Sequence, residues 1–154
     1  MTKNFSYQEI FKIYDDKIEF EKVYPFEGES INFNKKKYLF VKESSLQKLS
    51  KLAFYNISHY LRSSHLSKLK KIITDNEASN NDKFVAFSLL KNANTSAGGV
   101  LPMCQDTGTA IILAKKGINV ITSGKDAYYL SQGVYNCYLK NNLRYSQVAA
   151  KSMY

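Results

Sequence analysis

The chain has 154 residues, a hydrophobic fraction of 44% and a charged fraction of 23%, which describes one globular domain with its own core and excludes a disordered segment. Its net charge is +9, but Arg62 and Arg144 are the only arginines and the lysines are scattered apart from Lys35-Lys36-Lys37. A Lys-rich composition therefore explains the charge better than a nucleic-acid footprint does.

Residues 1–35 carry the least information. Tyr7 to Tyr14 has the apolar spacing of a short helix, Ile18 to Tyr24 alternates as a strand can, and Pro25, Gly28 and Ser30 mark a turn. Glu9, Asp15, Asp16 and Glu19, with no arginine nearby, fit neither a secretory nor a transit leader. Lys37 to Val41 reads as a strand. Ser44-Ser45 then opens a helix whose Leu46, Leu49, Leu52, Ala53, Ile57, Tyr60 and Leu61 share one face, ending near Ser63-Ser64. A second helix carries Leu66, Leu69, Ile72 and Ile73 inward. After the polar linker 76–81, Asp82 or a neighbouring Asn is expected to cap a third helix with Phe84, Val85, Phe87, Leu89 and Leu90. Thr109 to Ala114 and Ile118 to Thr122 flank Lys115-Lys116-Gly117, so a hairpin over 109–122 is expected. Asp126 is placed to cap a further helix with Ala127, Leu130, Val134, Tyr135 and Tyr138. Gly133 inside it costs about 1 kcal/mol relative to Ala, which close packing against another element would explain. Ser146 to Tyr154 reads as the start of one more helix, cut off without a Gly or Pro stop, so an incomplete domain is expected. No apolar run approaches the length of a membrane span.

Chemistry concentrates in Gly98 to Ala110, GGVLPMCQDTGTA. Gly98, Gly99, Pro102 and Gly108 make it a loop, and the apolar run after it leads into a strand, a place where function gathers. Cys104 is a soft ligand suited to iron–sulfur chemistry, or a buried structural thiol. Gln105 can orient a carboxylate or hydroxyl. Asp106 can hold or move a proton, or merely cap a turn. Arg144 offers a planar, bidentate grip on a carboxylate, or a charge partner for a helix C-terminus. His59, beside Tyr60 within a helix, reads as structural, and His65 as a helix-start residue. Cys104 and Cys137 form no metal motif by spacing and no disulfide framework, which leans toward a reducing compartment.

The run Leu101 to Ala110 (LPMCQDTGTA), with Gly133-Val134-Tyr135-Asn136 and Asn142-Leu143-Arg144-Tyr145-Ser146 downstream, resembles the iron–sulfur class I fumarate hydratases and, less closely, the tartrate dehydratases. Weaker similarity through Leu61-Arg62 and Glu77-Ala78-Ser79 reaches back to about Tyr38. The resemblance implies an α-rich α/β fold, with helices packed on a small sheet or hairpin. Residues 1–154 would be the incomplete amino-terminal portion of the family's α domain, with 1–35 a variable extension. It implies a 4Fe–4S cluster held by three cysteines with the fourth iron open to substrate. Cys104 matches only the first of those ligands, and Cys137 is no substitute. It places Gln105, Asp106 and Arg144 at the substrate, with Asp106 as the acid/base candidate and Arg144 on a carboxylate. The implied reaction is reversible hydration of fumarate to L-malate by a protein that is a homodimer when full length. The implied compartment is cytoplasmic or mitochondrial, without nucleic-acid or membrane partners, and the isolated chain would be inactive. The rival readings are a tartrate dehydratase fragment and a non-catalytic basic binding protein.

Overall fold

A computed structural model describes residue 6, residues 22–104 and residues 109–144. The expected elements at 7–14 and 146–154, and most of the strand expected at 18–24, lie outside them. The order is β1 (Gly28–Phe33), β2 (Lys36–Val41), α1 (Glu43–His59), α2 (Ser63–Thr74), α3 (Asn80–Ser96), β3 (Val120–Ile121) and α4 (Asp126–Lys140). The result is the expected α-rich α/β arrangement, with three of the four helices among the described residues lying before residue 98.

The sheet departs from the sequence reading. Gly28 and Ser30 belong to β1 rather than to a turn. The turn is Asn34-Lys35, both in the left-handed region with φ of 48° and 60°. That two-residue geometry matches the right-handed twist of an antiparallel pair, here registered from Gly28 opposite Val41 to Phe33 opposite Lys36. The hairpin expected over 109–122 does not form. β3 is two residues long and runs parallel to β2, with Leu39 opposite Val120. The apolar run before it gains no strand partner among the described residues. Its alternation is used in one direction only: Ala110 packs against the core, while Ile111 and Leu113 stay 73% and 74% exposed.

α1 and α4 pack in register. The Gln47 side-chain amide donates to Gln132 Oε1, Ser50 faces Gly133, and Phe54 shares a core cluster with Cys137 and Leu143. The two helices therefore run the same way and finish at the same end. α2 and α3 form a second pair. α3 buries Ala86, Ala93 and Ser96, whereas Phe84, Val85 and Phe87 are exposed.

The cap of α3 also differs from expectation. Ser79 is the N-cap, and Asp82 is the reciprocal member of a capping box, with the Asp82 N–H donating to Ser79 Oγ at 3.2 Å and the Ser79 N–H donating to Asp82 Oδ2 at 3.1 Å. Hydrogen bonds from Ser79 hold the Asp82 carboxyl below its ordinary value. A depressed carboxylate stabilises the fold above its unfolded pKa, and that contribution is lost as pH falls through the folded value. Ser79→Ala is therefore expected to lower the urea midpoint at neutral pH. Titration toward the acid range should narrow the gap from the parent protein.

Candidate active site

The loop carrying Cys104 hangs from the ends of two helices. The last carbonyls of a helix have no partner within it. In α1 these are met from outside: Ser58 O accepts from the Met103 N–H at 2.8 Å, and His59 O accepts from Ser96 Oγ at 2.9 Å. Gly99, at φ 75°, turns the chain off α3 against the Tyr55 hydroxyl. Met103 is buried at 3% exposure. The next residue, Cys104, is exposed.

The same device presents Arg144. Leu143 is buried with Phe54 and Cys137, and Arg144 after it is exposed. Asn142 makes the turn from α4 at φ 53°, a conformation Asn tolerates well, and its Nδ2 donates to Val100 O at 3.3 Å. Two arms, each anchored by one buried apolar residue, thus meet at the shared end of α1 and α4. There Arg144 Nη2 lies 3.6 Å from Cys104 Sγ, as a donor to sulfur.

Cys104 and Arg144, chosen on residue chemistry, are brought together across 40 positions of sequence. Gln105 and Asp106 lie outside the described residues, between Cys104 and Thr109. Cys137 is fully buried in the α1–α4 core, where burial pushes its thiol up and the Asn141 amide contacts its sulfur at 3.4 Å. It is a packing residue, as expected. His59 is also fully buried, stacked on Tyr55 with ring centroids 4.3 Å apart. Its Nδ1 lies 2.8 Å from Tyr55 O, and because a carbonyl only accepts, Nδ1 carries the proton. His65 lies in the first turn of α2. Sequence reasoning missed Asn92, whose Oδ1 accepts from the Cys104 N–H at 3.0 Å.

The thiol and guanidinium suit, respectively, a soft metal corner and a carboxylate. Among the described residues no three His, Cys, Asp or Glu side chains gather into a metal site. The donors present therefore fit one corner of a cluster and do not complete one. A cavity of about 740 Å³ opens elsewhere, between β2, α1 and the first half of α4, lined by Phe26, Val41, Leu46, Leu49, Phe54 and Leu130 among others. Neither Cys104 nor Arg144 lines it. Its exposed lining is mainly apolar, and its Lys116 and Asp126 are paired with each other at 2.7 Å, so the candidate site is sought at the Cys104–Arg144 end.

Comparison with known proteins follows the same direction. The family model for Fumarate hydratase (Fumerase) matches residues 47–153. The chain is 45% identical over 160 aligned residues to Fumarate hydratase class I, anaerobic, of Escherichia coli K12, covering 99% of this chain and 28% of that protein. It is 54% identical over 114 residues to Fumarate hydratase 1, mitochondrial, of Leishmania major, covering 74% of this chain and 21% of that one. It is 43% identical over 153 residues to Fumarate hydratase class I, aerobic, of Salmonella typhimurium, covering 99% and 26%. The chain spans about a quarter of the length of these curated relatives.

Proposed function

The chain belongs to the fumarate hydratase family, and from that membership we propose that it is the amino-terminal portion of a longer class I hydro-lyase that reversibly hydrates fumarate to L-malate. The observation that carries this reading is the meeting of Cys104 and Arg144, 3.6 Å apart, at one end of the α1–α4 pair. Cys104 would hold one corner of a 4Fe–4S cluster, and the other ligands would come from the remainder of the enzyme. When bound, such a cluster supplies Lewis acidity toward a substrate hydroxyl. The work of this chain's own residues is positioning and proton handling. Arg144 would grip a substrate carboxylate, so that little orientation is left to lose at the barrier. Gln105 would orient the substrate, and Asp106 would hold a proton beside the reacting hydroxyl as acid/base. The proposed compartment is cytoplasmic or mitochondrial, the proposed assembly is a homodimer of the full-length protein, and no described helix is long and apolar enough to cross a membrane.

The test is turnover of the full-length protein on L-malate and on tartrate, with iron and sulfide measured in the same samples. Malate turnover with bound iron supports the reading. Tartrate turnover alone reassigns the substrate, and absence of both iron and turnover leaves a binding protein. The 154-residue chain by itself is expected to hold no stable cluster, because it offers one exposed thiol and buries the other. Anaerobic reconstitution followed by iron assay and native mass checks this, and a stoichiometric cluster on the monomer would refute it.

A further inference from the structure

Cys104 is exposed, yet its backbone is held from both sides by one side chain. Asn92 Oδ1 accepts from the Cys104 N–H at 3.0 Å, and Asn92 Nδ2 donates to Cys104 O at 3.5 Å. Asn is a poor helix former, and Asn92 sits inside α3, one turn before Ser96. Residues four apart share a helix face. Ser96 uses that face to hold the end of α1 through His59 O, and Asn92 uses it to hold the cysteine. With the Met103 N–H bonded to Ser58 O at 2.8 Å, the backbone is gripped at two successive residues, once from α1 and once from α3.

We propose that Asn92 is the positioning residue of the Cys104 thiol. By clamping the Cys104 peptide to α3, it fixes the backbone from which the thiol projects before any iron arrives. The inference rests on the assignment of Cys104 as a cluster ligand. It extends that assignment by stating what prepares the ligand. A thiol on a freely moving loop must lose backbone freedom on binding iron, whereas one on a clamped peptide has already lost that share.

Asn92→Leu keeps the approximate volume and loses both bonds. Asn92→Asp keeps the accepting oxygen and loses the amide donor. Both are made in the full-length protein. Residue-resolved amide exchange is read on iron-free samples, and iron loss to a chelator is timed on loaded ones. In Asn92→Leu the Cys104 amide should exchange roughly three- to tenfold faster, the loss of one hydrogen bond, while the Met103 amide stays protected. Iron should leave faster, and Asn92→Asp should restore Cys104 protection. Unchanged Cys104 exchange in Asn92→Leu overturns the clamp, as does equal loosening of Met103 and all of α3. Faster exchange with unaltered iron loss overturns the positioning role while leaving the ligand assignment standing. A parent protein that takes up no iron overturns the ligand assignment and this proposal together, even if the exchange difference is seen.

Discussion

Gly133→Ala is expected to destabilise the protein by about 1–3 kcal/mol, the usual cost of overpacking, although Gly to Ala inside a helix ordinarily stabilises. The two effects oppose each other, and position decides between them. The propensity gain is about 1 kcal/mol at most. Against it, a Cβ on Gly133 would drive into Ser50 Oγ and the Gln47 carbonyl of α1. A side-chain hydroxyl can rotate away, but a helical carbonyl cannot, so the two helices must separate. Gly133→Val adds β-branching to the same clash and should cost more. Gly117→Ala is the control, because its new Cβ meets only Val120 Cγ2, at an ordinary 3.6 Å. Urea midpoints of the three variants check the ranking, and a Gly133→Ala midpoint equal to or above the parent's would mean that the helices have room. The consequence reaches the site. Cys104 is tied to the end of α1 through Met103 and Ser58, and Arg144 follows the end of α4. The spacing that Gly133 permits is therefore also the spacing across which Arg144 meets Cys104.

What could be read from the sequence divides along the range of the interactions involved. α1, α2 and α4 are legible as helices because their apolar residues recur at helical spacing, and Gly133 because a glycine inside a good helix needs a reason. The buried faces are not: α1 buries Ser45, Ser50, Phe54 and His59 while Leu49 and Ile57 are exposed, and Ile72 of α2 and Tyr135 of α4 are exposed too. β1 was not legible as a strand. All six of its residues are exposed, so no burial alternation is written into GESINF, and a turn was read where a strand begins. β3 falls within the strand expected at Ile118 to Thr122, but its partner is not legible there, for a different cause. A two-residue parallel bridge is set by where β2 lies, some 80 positions earlier (Leu39 to Val120), whereas periodicity sees only neighbours and suggested a local hairpin. In α3 it is the small residues Ala86 and Ala93 that are buried, while Phe84, Val85 and Phe87 are exposed, which apolar spacing by itself does not reveal. The site shows the same division. Cys104 and Arg144 stand out because their side chains are chemically uncommon in this chain. Asn92 acts on a backbone 12 residues away, and among so many asparagines it leaves only a faint mark, a poor helix former inside a helix. Met103 and Leu143 look like ordinary apolar residues until each is seen buried directly before an exposed site residue.

In the full-length protein, Cys104→Ala and Arg144→Lys are expected to fail in different ways, and the difference tests what their contact means. On the proposed assignment Cys104→Ala removes a metal corner, so iron and turnover should fall together. Arg144→Lys keeps the charge and changes the geometry. Arginine presents a planar fork of five donors, whereas lysine presents a compact point charge on a flexible stem. Losing a charge-assisted hydrogen bond to a carboxylate costs about 1.5–3 kcal/mol. That corresponds to roughly a ten- to hundredfold loss in kcat/KM. An Arg→Lys change should therefore cost turnover while iron content stays normal. The 3.6 Å approach of Nη2 to Cys104 Sγ makes the opposite outcome a real competitor, because an arginine whose task is to steady the sulfur would, once replaced, cost iron first and turnover only in proportion. Lys70→Arg, on the exposed side of α2, controls for the exchange itself and should leave both quantities unchanged. Steady-state kinetics with iron quantified in each sample separates the cases. Lost turnover at full iron content makes Arg144 a substrate group, a defect that scales with lost iron makes it a support for Cys104, and near-parental kcat/KM removes it from the site.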